Sequence, residues 1–154
     1  MQTLPHIYSV KAAGSAIGNV ALSSEGAPRL LTAAPAEFGG PGDQWSPESM
    51  LTGAVASCFI LSFRAVARAQ RISWLRLDCD VSGTLDRIGS ALRFTNFVTR
   101  VVLTVPETAD VTACERALEK AEQSCLVANS LDAVRELRVE IVKAAMVEPV
   151  AKTG

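Results

Sequence analysis

The chain has 154 residues, of which 20% are charged, and its formal net charge at pH 7 is −1. This length is typical of one domain with a single core. The balanced charge excludes the basic surface that a nucleic-acid or anionic-lipid partner would need. We therefore expect one domain over residues 1–154, with loose termini at residues 1–5 and 147–154.

The longest uncharged stretch, residues 49–63, has 15 residues. It is shorter than the roughly 20 residues of a membrane span and predicts a buried helix instead. Pro5, His6 and Lys11 interrupt the N-terminal segment, so we expect no secretory signal there. These features predict a cytoplasmic protein without a membrane span. In that compartment the four cysteines should be reduced at rest, and any disulfide should be transient.

Short apolar segments alternate with turn residues near the N-terminus. They predict a three-stranded meander, with strands at residues 7–10, 17–22 and 29–33. Residues 35–44 contain four glycines or prolines in succession, from Gly39 to Gly42. No Gly-Lys-Ser/Thr sequence follows, so a plain tight loop is favoured over a phosphate-binding loop.

A long helix is predicted from Pro47 to about Gln70. Ser46 is a favourable N-cap, Pro47 suits the first helical position, and Glu48 lies in the first turn, where the helix dipole favours an anion. The first half of the helix is apolar on every side. This pattern is typical of a helix that the fold encloses.

The second half of the chain predicts a strand pair, a helix and a final strand. Apolar residues alternate with polar ones from Leu75 to Leu85, and a second strand runs over residues 92–105, where Pro106 ends it. An amphipathic stripe predicts a helix over residues 111–124, and residues 137–141 predict the last strand. The fold class is therefore α+β.

Two of the four cysteines fit structural positions. Cys79 lies on the apolar side of the alternating strand, and Cys114 lies within the stripe of the second helix. We interpret both as packing residues. Cys58, in the uncharged part of the long helix, and Cys125, at the end of the second helix, are two thiols that suggest redox chemistry, although a buried thiol is often inert.

Other cysteine chemistry is disfavoured by spacing. The cysteines are separated by 21, 35 and 11 residues, and His6 is the only histidine. Zinc sites usually bring their ligands in close pairs, so no metal is expected. A cysteine nucleophile of the protease type needs an imidazole beside it, which one N-terminal histidine does not readily supply. We expect neither metal nor cofactor.

Two segments resemble the motifs of the OsmC/Ohr family of thiol peroxidases. The first contains Phe38-Gly39-Gly40-Pro41-Gly42-Asp43-Gln44-Trp45-Ser46-Pro47-Glu48, then Met50-Leu51 and Ala54-Val55-Ala56-Ser57-Cys58-Phe59. The second contains Lys120-Ala121-Glu122, Cys125 and Asn129-Ser130-Leu131. The resemblance extends from about residue 20 to residue 141, with both motifs in the family's order.

This resemblance implies an OsmC-like fold, a bacterial source and an intertwined homodimer with sites at the subunit interface. It also implies an antioxidant peroxidase that acts on organic hydroperoxides. Cys58 matches the attacking cysteine, Cys125 the resolving cysteine, and Glu48 the carboxylate that orients a catalytic arginine. A small dithiol or a protein dithiol would restore the thiols. Apolar residues suit a fatty or aryl hydroperoxide, namely Phe38, Trp45, Met50 and Phe59.

The sequence departs from the family at two places. The family's arginine positions read Gly14-Ser15 and Glu37 here, which leaves Arg29 as the nearest N-terminal substitute. Without a guanidinium, a buried Cys58 should have a small thiolate fraction. Leu126 stands where many relatives carry proline.

The missing arginine keeps alternatives open. Arg29 is also interpretable as an exposed charged residue on a strand. Glu48 is also interpretable as a carboxylate that interacts only with the helix dipole. At the level of the whole protein, the alternative is a non-catalytic OsmC-like protein that binds a small apolar ligand and keeps its cysteines as packing.

Overall fold

The computed structural model describes residues 3–145. The chain comprises two compact units, Met1–Leu51 and Thr52–Gly154. The expected loose tail at residues 147–154 and the first two residues of the expected loose N-terminus lie outside the described residues. The single-domain organisation stays a prediction.

The first unit contains the predicted three-stranded meander. Strands β1 (Lys11–Ala13), β2 (Val20–Ser23) and β3 (Leu30–Thr32) form an antiparallel sheet in chain order. The first strand was wrongly predicted, because residues 7–10 lie before β1 and belong to no strand. Strand propensity favours Ile7 and Tyr8, but pairing with β2 begins only at Lys11.

The glycine-rich loop that follows β3 is explained by backbone geometry. Gly39 and Gly42 have φ of 78° and 77°, a conformation that other residues rarely adopt. A Cβ at Gly40 would lie 1.6 Å from the carbonyl oxygen of Ala34. The glycines therefore permit a tight loop, as the sequence predicted.

Helix α1 (Pro47–Gln70) begins with a reciprocal pair of capping hydrogen bonds. The backbone N–H of Ser49 donates to the hydroxyl of Ser46 at 3.1 Å, and the backbone N–H of Ser46 donates to the hydroxyl of Ser49 at 2.8 Å. This arrangement is a capping box with serine at its third helical position. It confirms Ser46 as the N-cap.

The second unit holds the larger sheet. Strands β4 (Arg76–Ile88) and β5 (Ala91–Pro106) form the predicted antiparallel pair, and β6 (Val134–Ala144) runs parallel to β5 at the other edge. Helix α2 (Val111–Ser124) connects β5 to a short helix α3 (Leu126–Asn129), which the sequence did not predict. The final strand is longer than the predicted residues 137–141.

Helices α1 and α2 cover one face of this sheet and form the core with it. The core contains both aromatic and small residues, including Phe59, Phe63, Leu103, Leu118 and Ala121. Phe63 and Trp74 make an edge-to-face contact with ring centroids 5.4 Å apart. Cys114 is buried in this core and Cys79 packs against it, in agreement with their predicted packing positions.

Helix α1 is long and apolar enough to cross a membrane by length and composition alone. Its most apolar 18 residues have a mean hydropathy of 1.7, and only 28% of them are buried. The prediction that the fold encloses this helix on all sides is therefore wrong for the single chain. One face, which includes Phe59 and Phe63, packs in the core, while Leu61 is 56% exposed. A two-layer fold covers a helix from one side only.

Candidate functional site: a pair of thiols

Cys58 and Cys125 lie together in the second unit, on different elements. Cys58 is partly exposed on α1, and Cys125 is fully buried at the junction of α2 and α3. The backbone N–H of Cys125 donates to the carbonyl of Glu122, and its carbonyl accepts from the N–H of Asn129 at 2.9 Å. Cys125 therefore ends one helix and begins the next, which fixes its thiol against α1.

Four groups donate hydrogen bonds to the Cys58 sulfur. They are the backbone N–H groups of Val127 and Leu126, the thiol of Cys125 and the hydroxyl of Ser62. Desolvation by burial is the largest single influence and raises the pKa of Cys58, but the hydrogen bonds together outweigh it and lower the pKa below 9.0. The pKa of Cys58 therefore shifts in the direction opposite to the one expected from burial alone. Neutral donors act here in the way that a guanidinium was expected to act.

The pKa of Cys125 moves in the opposite direction, to about 11. Burial is the main cause. The N–H of Ala128 lowers the value, whereas donating to Cys58 and the charge of the Glu122 carboxylate raise it. Of the two sulfurs, Cys58 is therefore the one that ionises first, while Cys125 keeps its proton.

The other two cysteines are poor nucleophiles. Burial raises the pKa of Cys79 to about 12, and the carboxylate of Asp80 adds to this effect. Burial also raises the pKa of Cys114, with a contribution from Asp110. Because the thiolate is the reactive form, both thiols should stay inert at neutral pH.

An apolar groove of about 590 Å³ opens at Cys58. It follows α1 from Cys58 to Gln70 and is closed on the other side by α2 and α3. Its lining is mainly small and aliphatic, with Leu61, Ala65, Val66, Ala69 and Leu126 among the residues. Lys120 is the one charged side chain in the lining. Phe59, expected at a substrate site, is instead part of the core.

The other two predicted site residues belong to the first unit. Arg29 immediately precedes β3 and is exposed, and Glu48 is half-buried in the first turn of α1, ten residues before Cys58. The roles of Arg29 and Glu48 at the thiol pair stay predictions.

Within residues 3–145, no three side chains of histidine, cysteine, aspartate or glutamate cluster in a way that could hold an ion.

Sequence reasoning missed the donors around Cys58. Ser62 could have been predicted as a donor, because it follows Cys58 by four positions and therefore lies on the same face of the helix. The N–H groups of Leu126 and Val127 could not have been predicted as donors, because their positions depend on the unpredicted helix α3. Glu122 lies three residues before Cys125, and this helical spacing already indicated a carboxylate near the thiol.

The second unit thus combines two helices and a three-stranded sheet with two thiols that lie next to each other. Residues 40–140, more than half of the chain, match the family described as OsmC-like protein. The chain belongs to this family.

Known proteins agree with this assignment. The chain is 26% identical over 109 residues to the uncharacterized protein YmaD of Bacillus subtilis, covering 69% of this chain and 73% of that protein. It is similar to the structure of an OsmC-like protein of unknown function from Vibrio cholerae, with a TM-score of 0.76, 19% identity and coverage of 90% and 100% of the two chains. An organic hydroperoxide resistance protein OsmC from Legionella pneumophila gives a TM-score of 0.71, 22% identity and coverage of 91% and 99%.

Proposed function

We propose that the protein is a cysteine-based peroxidase that reduces organic hydroperoxides. The observation that carries this proposal is the contact between the two thiols, in which Cys125 donates a hydrogen bond to the Cys58 sulfur, with the pKa of Cys58 lowered and that of Cys125 raised. Membership of the OsmC-like family supports it, as does the name of the similar Legionella protein.

The first step would be attack of the Cys58 thiolate on the outer oxygen of the hydroperoxide. A sulfur–oxygen bond forms, the oxygen–oxygen bond breaks, and the alkoxide leaves and takes up a proton to become an alcohol. Cys58 is thereby oxidised to a sulfenic acid while the peroxide is reduced. The hydrogen bonds that lower the pKa of Cys58 favour this step because they increase the thiolate fraction.

The second step would join the two cysteines. The Cys125 sulfur attacks the Cys58 sulfenic sulfur, a disulfide forms, and the displaced hydroxide leaves as water with the proton of Cys125. A dithiol reductant then returns both cysteines to thiols and is itself oxidised to a disulfide. A cytoplasmic location fits this cycle, because that compartment supplies reduced dithiols.

The groove at Cys58 supports an apolar substrate. Its lining is mainly aliphatic, so it would bury the organic part of a hydroperoxide while the peroxide group meets the sulfur. Hydrogen peroxide has no apolar part and gains nothing from such a groove. We therefore expect a preference for fatty or aryl hydroperoxides.

A homodimer is part of the proposal. The first unit exposes many apolar side chains, including Ile7, Tyr8, Ile17, Phe38 and Trp45, and α1 exposes Leu61. Many large apolar side chains exposed in one chain are typical of an interaction surface, and a second copy of the chain would cover them. The intertwined arrangement expected from the family resemblance is consistent with this exposure.

The direct test is oxidation by one equivalent of cumene hydroperoxide, followed by intact-mass analysis and non-reducing peptide mapping. A loss of two hydrogens and one linked Cys58–Cys125 peptide pair would support the peroxidase. An unchanged mass with excess peroxide, or a different linked pair, would favour the second candidate, a non-catalytic protein that binds an apolar ligand in the groove. The size and lining of the groove support that alternative.

A further inference from the structure

A carboxylate that the proposed reaction does not use lies beside the cysteine pair. The Glu122 side chain is 16% exposed, and its Oε2 atom is buried without a hydrogen-bond partner among residues 3–145. Its Oε1 atom lies 3.6 Å from Nε of Arg135 on β6. A carboxylate oxygen withdrawn from water without a donor destabilises a fold, so its presence calls for an explanation.

Glu122 is close to Cys125 in both sequence and structure. It precedes Cys125 by three residues, so the two lie on the same side of α2, and its carbonyl accepts the Cys125 N–H at 3.3 Å. Burial is the largest cause of the raised pKa of Cys125, and the Glu122 charge adds to it. The same charge reaches Cys79 on β4 and raises its pKa as well.

Hydrogen bonds of Arg135 and Asn129 hold this segment in place. Nη1 of Arg135 donates to Oδ1 of Asn129 at 2.9 Å, and Nδ2 of Asn129 donates to the carbonyl of Gln123 at 2.9 Å. The N–H of Asn129 donates to the carbonyl of Cys125. Arg135 thus connects the carboxylate to the backbone on both sides of Cys125, and the distance between charge and thiol is constrained.

The groups that face the Cys125 thiol come from three elements. Cys58 faces it from α1, Cys79 from β4 and Glu122 from α2. Arg135 on β6 pairs with the carboxylate and so partly offsets its charge. Of these groups, Glu122 is the one that carries a negative charge while both thiols are protonated.

We propose that Glu122 is a positioning residue that helps to keep the proton of the cysteine pair on Cys125 and so favours ionisation at Cys58. The carboxylate disfavours a second negative charge at Cys125, and the retained S–H donates to the Cys58 thiolate. The consequence for catalysis rests on the proposed function, since it selects Cys58 as the peroxide-attacking residue. The proton distribution itself requires no peroxide.

The test removes the charge and keeps the shape. In a Cys58→Ser background, the pH dependence of Cys125 alkylation by iodoacetamide gives the ionisation of that thiol alone. Adding Glu122→Gln should lower its midpoint by about half a pH unit, the size expected for a unit charge about one helical turn away in a partly solvated site. With Cys58 intact, Glu122→Gln should also divert alkylation from Cys58 towards Cys125.

Arg135→Gln should shift the Cys125 midpoint in the opposite direction. It keeps the proposal testable if the Glu122→Gln protein does not fold. This substitution removes the positive charge beside Glu122. The Cys125 midpoint should then rise in the Cys58→Ser background. An unchanged midpoint in a folded Glu122→Gln protein, or a fall in Arg135→Gln, would overturn the proposal.

These measurements separate this inference from the peroxidase assignment. The expected midpoint shifts together with no oxidation by hydroperoxide would refute the peroxidase and support the role of Glu122. Oxidation to a Cys58–Cys125 disulfide with unchanged midpoints would support the peroxidase and refute the role of Glu122.

Discussion

The Cys125 thiol donates a hydrogen bond to the Cys58 sulfur, and this contact contributes to the lowered pKa of Cys58 and to the raised pKa of Cys125. The donated proton stabilises the Cys58 thiolate and is held more firmly on Cys125 as a result. Two identical side chains thereby acquire different chemical roles. The predictions below follow from this asymmetry and from the surfaces around it.

The reactivity of Cys58 should depend on pH with a midpoint below that of an ordinary thiol. Its pKa is lowered, so the thiolate fraction rises with pH and reaches its maximum at a lower pH than for a free cysteine. Stopped-flow oxidation by cumene hydroperoxide between pH 5 and 10 would measure this as a rate that rises and then levels off. A midpoint above 9.0 would contradict the hydrogen-bond arrangement.

Leu126→Pro should reduce the thiolate fraction of Cys58. Proline removes one N–H donor to Cys58. The fold should tolerate it, because proline suits the first position of a helix and the preceding residue, Cys125, already has the extended backbone that proline requires, with φ of −67° and ψ of 104°. Loss of a hydrogen bond to a charged group should raise the midpoint by about 1 unit. Leu126→Ala is the matched control, because the side chain is exposed and the N–H is retained. Equal midpoints in the two variants would exclude Leu126 as a donor.

Peroxide should oxidise Cys58 and Cys125 and spare the other thiols. Cys58→Ser should abolish turnover, whereas Cys125→Ser should allow one oxidation that stops at a sulfenic or over-oxidised Cys58. Cys79 and Cys114 have raised pKa values, caused mainly by burial, and should remain thiols. Dimedone labelling and peptide mass mapping would identify the modified residue in each variant. A sulfenic acid at Cys79 or Cys114 would exclude this assignment.

The protein should be a homodimer at micromolar concentration. The exposed apolar side chains of the first unit and of α1 need a covering surface. Light scattering should give about twice the 16.3 kDa mass of the chain. Leu61→Glu places a charge on the exposed side of α1 and should favour the monomer. Arg116→Glu, at an exposed and already polar site on α2, is the control. A wild-type mass of one chain would remove the interface hypothesis.

If Glu48 orients Arg29 at Cys58, substitutions of the two residues should have the same effect on Cys58 oxidation. Glu48→Gln should then raise the activation free energy of Cys58 oxidation by more than the ~0.3–1 kcal/mol by which loss of a helix-dipole charge lowers the free energy of unfolding. Arg29→Gln should have a similar effect, and the double variant should be no slower than either single variant. Unchanged oxidation with slightly lower stability would leave Glu48 with a capping role only.

Local chemistry determined much of the fold in advance. Helix α1 begins where Ser46 and Pro47 predicted, because a cap and a rigid first residue act within one turn of the chain. Cys79 and Cys114 lie on packed positions because side-chain periodicity sets the face on which a residue is buried. The motifs around Cys58 and Cys125 also identified the family.

Tertiary structure alone decided the properties of the two thiols. The ionisation of Cys58 depends on N–H groups of α3 and on Cys125, which lies 67 positions away in the sequence. No local pattern reports such a contact, because hydrogen-bond donors act through space and burial depends on the whole packing arrangement. The start of β1 was misjudged for a related reason, since pairing with β2 rather than the propensity of Ile7 and Tyr8 selects the strand residues.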